Sequence, residues 1–375
     1  MALGDSVSVV DSLAGVDAAE WNALAGCQPF VRHEFLSALI ETGCASARTG
    51  WAPRFLLARR AGALAGAMPL FAKSHSYGEY VFDWAWAEAH ERHGLDYYPK
   101  LLGAIPFTPV RGPRLLGTEK ALLVDAALRL ARETSSLHVL FPPEEDLPHL
   151  AARGMLIRRT VQFHWRNHGY ADFDDFLGRM THARRKKIRQ ERRRVQEAGI
   201  RCSWLEGASI TQDHWKLFNR CYRKTYAEHR SSPYLGLEFF LRIGAALPEN
   251  LALLLAERDN RPIAASLFFH DETNLYGRYW GALEHVPLLH FECCYYQAIE
   301  YAIARGLRVF EGGAQGEHKL WRGLLPVEAP SAHWLAHPRF ARAVESFLER
   351  EGAGIARYVD ELCEHSPFKK PREEK

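Results

Sequence analysis

A glycine-rich loop late in the chain holds the densest group of residues that could do chemistry. It runs from Gly312 to Lys319 and carries an amide, a carboxylate, an imidazole and an ammonium group. Glycine lets backbone N–H groups approach an anion or a carbonyl oxygen closely, while histidine and lysine supply proton transfer and charge. A polar surface turn is the alternative, but the polar stretch is longer than a turn needs. The sequence therefore predicts a site here, with catalytic or substrate-binding roles for His318, Lys319, Gly313, Gln315, Gly316 and Arg322.

Three more acid or base groups stand where predicted elements begin or end. His290 and Glu292 begin a helix, where the helix dipole favours a carboxylate. Glu311 ends a strand, a frequent place for functional side chains in open α/β sheets. Each could accept the proton of an attacking amine, whereas helix capping and a strand-end ion pair are the structural alternatives. All three are candidate catalytic residues.

An arginine among aromatic rings precedes that helix. Arg278 and Trp280 stand two residues apart in a predicted strand, so alternation places them on one face. Such a pair can clamp a phosphate or carboxylate while a ring stacks on the ligand; a surface cation lying on a ring is the alternative. With Tyr296 on the helix, they are predicted to bind substrate.

The elements that must position these residues occur twice. The segments Leu56–Arg60 and Ala65–Phe71 resemble Leu254–Arg258 and Ile263–Phe269, in the same order and at similar spacing. Each pair predicts two strands joined by a tight charged turn, a β-hairpin. The chain is therefore read as a duplicated unit.

The match continues beyond the hairpins. Tyr80–Trp84 matches Tyr276–Trp280 as an aromatic strand, and Tyr97-Tyr98 matches Tyr295-Tyr296. This match identifies residues in the first half that correspond to the polar site of the second half. They are interpreted as contacts to an acceptor substrate: Glu79, Asp83, Tyr98 and Lys100. A paired-carboxylate hydrolase is the alternative there.

Apolar periodicity predicts the second-half helix. Residues from Phe291 to Ile303 recur at helical spacing, and Gly306 follows the last turn. Leu307–Glu311 is then a short strand parallel to the hairpin, because a strand, helix, strand unit crosses over in this way. The first half offers a helix around Phe35–Ile40 and a strand Leu137–Phe141.

The basic charge of the chain is concentrated in one segment. Between Arg179 and Arg194 nine Lys or Arg oppose the single Glu191. Met180, Ile188 and Val195 form a narrow apolar seam, which predicts a long, mostly solvated helix over 179–199. Such a helix could bind RNA or another polyanion, although charge runs are often only solvated faces. The predicted polyanion-binding residues are Arg184, Arg185, Lys186, Lys187 and Arg189.

Length and composition favour two globular domains. The 375 residues are 47% hydrophobic, and we place the domains at 1–165 and 166–366, followed by a polar tail at 367–375. No apolar run suggests a membrane span and no secretion signal is apparent, so we expect a cytoplasmic protein. Seven scattered cysteines suggest neither disulfides nor a metal site.

Several motifs together resemble a bacterial family. They include Ser76–Trp84, Tyr97–Lys100, Pro106–Pro109, Tyr276–Gly281, His290–Glu292 and Gly313–Lys319. They resemble the FemAB-like family of peptidoglycan biosynthesis or recognition, over nearly the whole chain. The resemblance implies a tandem GNAT-like α/β fold, with two mixed sheets flanked by helices, related to Fem peptidyltransferases and aminoacyl-tRNA-protein transferases. It also implies that Lys319 corresponds to the cleft lysine of Fem enzymes, with His318 in place of an aromatic residue.

The donor substrate is the least determined feature. Acyl-CoA enzymes of this fold bind the pyrophosphate on a glycine-rich turn, but Ala282–Leu289 at that junction contains no glycine. This favours an aminoacyl-tRNA donor over acyl-CoA, and no other cofactor is predicted. The first hypothesis is an acyl- or aminoacyl-transferase acting on an amine of a peptide or cell-wall precursor. The alternatives are an acyl-CoA-dependent N-acyltransferase and a non-catalytic protein that recognises a cell-wall fragment or RNA.

Overall fold

The chain divides into two compact units. The computed structural model describes residues 6–313 and 316–369. Unit 1 comprises the chain up to Thr160 together with Glu328–Ala356, and unit 2 comprises Val161–Val327 together with the chain from Arg357. The predicted domains, 1–165 and 166–366, were contiguous. The observed units are not, because a strand after Val327 completes the sheet of unit 1.

The α-helices, in chain order, are α1 Ala18–Ala25, α2 His33–Glu41, α3 Trp84–Arg92, α4 Lys120–Ala131, α5 Leu147–Ala151, α6 Phe173–Arg179, α7 His182–Glu197, α8 Gln212–Glu228, α9 Leu237–Ala246, α10 Leu289–Phe291, α11 Gln297–Ala304 and α12 Pro338–Glu364. A π-helical segment, Glu292–Tyr296, joins α10 to α11. Glu317–Arg322 forms a 3₁₀ helix.

The strands are β1 Ser6–Val10, β2 Trp51–Pro53, β3 Phe55–Arg60, β4 Ala63–Met68, β5 Phe71–Lys73, β6 Lys100–Gly103, β7 Leu116–Gly117, β8 Ser136–Leu140, β9 Leu156–Arg166, β10 Ile200–Glu206, β11 Leu251–Arg258, β12 Arg261–His270, β13 Asn274–Ala282, β14 Val309–Glu311 and β15 Leu325–Leu335.

Unit 1 contains two groups of paired strands. One has the order β1-β3-β4-β7 and includes the predicted first hairpin, β3 and β4, as an antiparallel pair. The other runs β15-β8-β6-β5-β2, in which only β6 and β8 are parallel among these pairings. Leu123 and Ala127 on α4 pack with Leu56 and Leu137 into one apolar core. The predicted helix around Phe35–Ile40 is confirmed as α2.

Unit 2 is built on the order β10-β11-β12-β13-β14-β9. The second hairpin is confirmed, because β11 pairs antiparallel with β12. The short strand β14 runs parallel to β13 after the predicted helix, as the crossover argument requires. Gly306, at φ 66, follows that helix where the sequence predicts its end.

The basic helix is confirmed as α7. Its predicted apolar seam is buried: Met180, Ile188 and Val195 are at most 2% exposed. Glu191 is also buried, at 6% exposure, on the same side of the helix. Burial of this acid already indicates that α7 is bound to unit 2 by polar contacts as well as by its seam.

The predicted aromatic strand in the first half was wrong. Tyr80–Asp83 has no strand pairing, and helix α3 begins at Trp84. Tyr97 and Tyr98 precede strand β6, whereas the matching Tyr295 and Tyr296 lie on a helical segment. The cause is a long-range contact, since the Lys100 side chain bonds Ser76, Glu79 and Asp83 and folds this segment around itself.

Candidate active site

A β-bulge interrupts the strand that carries Arg278. Leu267 on β12 pairs with Tyr279 and Phe268 pairs with Gly277, so Arg278 is the extra residue. The bulge breaks the alternation from which we predicted a shared face. Arg278 Nη2 donates to the Tyr279 hydroxyl at 3.3 Å, whereas the Trp280 ring packs against His290, with 5.7 Å between ring centroids. A bulge also bends its strand and disrupts the strand ladder locally.

Two adjoining pockets in unit 2 open beside this bulge. The smaller, about 110 Å³, is lined by the bulge, the helix and the glycine loop, with Ser266, Arg278, Cys294, Tyr295 and Gly312 among its residues. The larger, about 560 Å³, lies at the β13–α10 junction and is lined by residues such as Lys224, His229, His285 and Phe291. Trp280 and His290 line both pockets. A ligand spanning the two would pass these two rings.

His290 presents a neutral imidazole to both pockets. Its side chain is exposed to the cleft, yet surrounding protein atoms displace much of the water around it. That desolvation, together with the positive charges of His318, Arg322 and Lys319, lowers the pKa of His290 to about 4. His318 lies near it and pairs through a ring nitrogen with the Tyr295 hydroxyl at 3.0 Å. Both imidazoles pack against the Tyr295 ring, at centroid distances of 5.5 Å for His290 and 5.7 Å for His318.

Lys319 is buried under the glycine loop. Its ammonium donates to the Gly313 carbonyl at 2.8 Å, and the side chain is 3% exposed in a 3₁₀ helix. Burial lowers the pKa of Lys319 to about 8. A Cβ placed on Gly312, which lines the smaller pocket, would lie 3.6 Å from the Lys319 Cδ. Gly316 has φ 116, a backbone region that favours glycine. Gln315 lies outside the described residues.

Arg322 and Tyr296, both predicted to bind substrate, contact a residue that the sequence did not single out. Arg322 Nη2 lies 3.1 Å from Glu191 Oε2, and the Tyr296 hydroxyl donates to the same oxygen. Arg322 Nη1 also donates to the His318 carbonyl at 2.7 Å, and its guanidinium lies 3.4 Å from the Phe291 ring centroid. These contacts hold the loop against α7. The signal in the sequence was Glu191 itself, the one acid in the basic run.

Glu292 and Glu311 are separated from the imidazoles. The Arg192 Nη2 lies 3.0 Å from Glu292 Oε1, and Gln297 donates to the same oxygen at 2.8 Å. Glu311 Oε2 lies 3.8 Å from a His164 ring nitrogen on β9. Neither carboxylate is among the described residues that line the two pockets.

The predicted polyanion-binding residues divide into two kinds. Arg184 stacks on Trp321 at 3.7 Å, Arg189 pairs with Asp174 at 2.7 Å, and Lys187 lies 3.9 Å from Glu191. Lys186 is exposed and Arg185 is half-buried. Helix α7 therefore uses part of its charge inside unit 2 and presents the rest to solvent.

The first-half residues form a cluster of their own in unit 1. Lys100 donates to Glu79 Oε2 at 2.8 Å, to Ser76 Oγ at 2.7 Å and to Asp83, and Ser76 Oγ lies 2.8 Å from the Tyr98 hydroxyl. Glu79, Asp83, Tyr98 and Lys100 therefore lie together, and their role as contacts to an acceptor stays a prediction. The sequence missed Lys73, whose Nζ lies 4.0 Å from Glu79 Oε1.

Burial controls the charges of this cluster. It lowers the pKa of Lys73 to about 7 and raises that of Glu79 to about 7. For Asp83 burial acts in the same direction as for Glu79, but the Lys100 ammonium outweighs it and holds the pKa of Asp83 below its usual range. In the described residues no group of three His, Cys, Asp or Glu could hold a metal ion.

Comparison with known proteins supports the same architecture. The family model described as FemAB-like, peptidoglycan biosynthesis/recognition, matches residues 12–370. The crystal structure of FemX is similar at a TM-score of 0.54 and 12% identity, covering 88% of this chain and 98% of FemX. L-PGS from Bacillus licheniformis has a TM-score of 0.54 at 9% identity, covering 92% of this chain and 98% of that one.

A third similar structure is the C-terminal domain of a putative lysylphosphatidylglycerol synthetase from Agrobacterium fabrum. Its TM-score is 0.53 at 11% identity, covering 90% of this chain and 96% of that one. No curated protein sequence matches the chain. The predicted fold, mixed sheets flanked by helices in a tandem GNAT-like arrangement, is confirmed by the family match and these structures. Along 6–313 and 316–369, no helix is long and apolar enough to cross a membrane.

Proposed function

The chain belongs to the FemAB-like family of peptidoglycan biosynthesis or recognition, and from this premise we propose that it is an acyl- or aminoacyl-transferase that forms an amide bond on an amine acceptor. The observation that carries the proposal is the pair of adjoining pockets in unit 2, with His290 at their junction and the Lys319 loop beside the smaller one. This arrangement offers a base, a cation and backbone donors in one place.

In the proposed reaction the acceptor nitrogen attacks the carbonyl carbon of the donor. A C–N bond forms, and the ester C–O bond to the carrier breaks, or the thioester C–S bond if the donor is an acyl-CoA. The proton of the amine passes to a base, and the leaving oxygen or sulfur takes up a proton. His290 is the best-placed base because its neutral imidazole lines both pockets, whereas Glu292 and Glu311 are held by Arg192 and His164.

The oxyanion that forms at the carbonyl needs donors fixed in advance. We assign this role to the Lys319 ammonium and to backbone N–H groups of the glycine loop. His318 would orient the loop through its contact with Tyr295.

An aminoacyl-tRNA is our preferred donor. The larger pocket lies at the junction that lacks the glycine turn of CoA enzymes, and it is lined by a half-buried aromatic ring, Trp280, on which a base could stack. The solvent-facing charges of α7 would contact phosphates of the carrier. Such a donor would place the reaction in the cytoplasm. The first alternative is an acyl-CoA donor. The second alternative is a non-catalytic protein that recognises a cell-wall fragment or RNA.

The acceptor is proposed to be a peptide or cell-wall precursor that bears a free amine, as the family description suggests. Mass spectrometry of ligands that copurify with the protein tests the donor class directly. Recovery of aminoacyl-tRNA supports the preferred donor, and recovery of an acyl-CoA supports the alternative. If neither binds and no amide forms with a panel of both donors, the transferase proposal is wrong.

A further inference from the structure

One surface of unit 1 concentrates exposed apolar side chains. Of the six large hydrophobic residues exposed in the described part of the chain, four lie between positions 77 and 95: Tyr77, Phe82, Trp84 and Leu95, at 60%, 53%, 40% and 40% exposure. The Tyr77 and Trp84 rings are in contact, with centroids 4.9 Å apart. The Tyr77 and Trp84 rings therefore form one exposed apolar patch, and such a patch marks a binding site more often than scattered single residues do.

Hydrogen bonds to a buried lysine fix the segment that presents these rings. Ser76, Glu79 and Asp83, which alternate with the outward-facing residues, all bond the buried Lys100 ammonium. The backbone is fixed in uncommon conformations at Gly78 and Tyr80, with φ 81 and 64. A surface already fixed in shape loses little entropy when it binds a ligand.

Acidic side chains flank the rings. Trp84, Glu88 and Glu91 stand at i, i+4 and i+7 on α3, so they lie along one helix face. Between residues 84 and 96, the exposed charged residues Glu88, Glu91 and Asp96 outnumber the single Arg92, which pairs with Glu88. Aromatic rings beside carboxylates attract an ammonium group through cation–π and Coulomb interactions, and they repel anionic ligands and anionic membrane surfaces.

We propose that the surface formed by Tyr77, Trp84, Glu88 and Glu91 binds a peptide that carries a protonated primary amine. This binding does not depend on the proposed function. Lys100 is a positioning residue for the surface, since it fixes the loop without reaching solvent.

The test is an NMR titration of the full chain with two matched probes. The first is the tripeptide acetyl-Ala-Lys-Ala-amide, and the second is the same peptide acetylated on the lysine side chain. We expect the free amine to bind at least about fivefold more tightly. Tyr77→Ser and Trp84→Ala should each weaken its binding roughly three- to tenfold. Glu88→Gln with Glu91→Gln should weaken it roughly two- to fivefold, and less so at high salt.

Phe347→Ala is the matched control, because it removes an exposed ring, 37% accessible, from α12 of the same unit. It should leave affinity unchanged. Equal affinity for the two peptides, or unchanged affinity in both ring variants, overturns the inference, as does a dimer in solution that Trp84→Ala dissociates. The titration measures binding alone. Binding of the free-amine peptide without any amide formation would sink the proposed function alone, and amide formation by a protein that binds the two peptides equally would sink this inference alone.

Discussion

Arg192 Nη2 lies 3.0 Å from Glu292 Oε1, and this ion pair joins the basic helix α7 to the helical segment that begins beside the cleft. The side chains are only 18% and 6% exposed. Without Glu292 the buried Arg192 would keep only its pair with Glu300 Oε2, at 2.7 Å. We therefore expect Glu292→Ala to lower the free energy of unfolding by about 1–3 kcal/mol in urea denaturation. Turnover per folded molecule should persist, because the carboxylate is committed to Arg192.

The control for this variant is Glu238→Ala, which breaks the exposed Arg242–Glu238 pair at 3.2 Å in the same unit. An exposed pair contributes less than about 1 kcal/mol. If Glu292→Ala folds but loses turnover, Glu292 is the general base, as one interpretation of the sequence predicts.

Lys319 should destabilise the fold at neutral pH. Burial lowers its pKa from the ordinary 10.5 to about 8, so between these values the unfolded chain holds a proton that the folded chain has released. Its contribution to stability is therefore least favourable below pH 8 and improves as the pH rises toward 10.5. We expect Lys319→Met to raise the free energy of unfolding by roughly 1–3 kcal/mol at pH 7, with a smaller gain at pH 10.

The same variant should lose transfer activity by about 100-fold or more, since the oxyanion loses a cation. Urea titrations of the unsubstituted protein and of Lys319→Met at both pH values isolate the contribution of the Lys319 charge to stability. A stability difference that does not vary with pH would show that the ammonium is not penalised by burial.

His290 should act as a neutral base. With its pKa lowered to about 4, its contribution to the rate should be constant from pH 6 to 8 and fall as the pH approaches 4. His290→Ala should lower kcat by roughly 10²–10⁴-fold. His285→Ala, which changes only the larger pocket, should mainly raise the donor KM. A kcat unchanged in His290→Ala transfers the role of base to another group.

The exposed charge of α7 should bind the donor through phosphates. Replacing Arg184, Arg185, Lys186 and Lys187 by Ala should weaken tRNA binding and reduce the slope of log affinity against log salt by up to about 4. Arg201, Lys216, Arg220 and Arg242 offer an equally charged control set in unit 2, outside α7 and outside the residues that line the larger pocket. An equal loss of tRNA affinity in both sets of variants would mean that the net charge of the protein governs binding and that the surface of α7 has no special role.

Local patterns predicted unit 2 well. The hairpin β11–β12, the helix ending before Gly306 and the parallel strand β14 all depend on contacts between near neighbours in sequence. His290, His318 and Lys319 lie near one another because the helix and the strand of one crossover unit place them at the same edge of the sheet.

Contacts between residues far apart in the chain could not be predicted from local sequence patterns. The repeat match made Tyr80–Trp84 a strand, but Lys100 draws that segment into a loop around a buried ammonium. Glu292 looked like a free acid at a helix start because its partner Arg192 stands 100 residues earlier. The bulge at Arg278 was equally hidden, since strict alternation is the default for a strand.

The return of the chain to unit 1 has a consequence for synthesis on the ribosome. Strand β8 pairs with β15, and His138 bonds His333, which is translated 195 residues later. At about 5–20 residues per second, that edge of β8 waits roughly 10–40 s for its partner. During this interval the ribosome synthesises Val161–Val327 of unit 2 while unit 1 exposes an unpaired strand, a recognised template for aggregation. We therefore expect nascent unit 1 to be prone to aggregation until β15 has been synthesised.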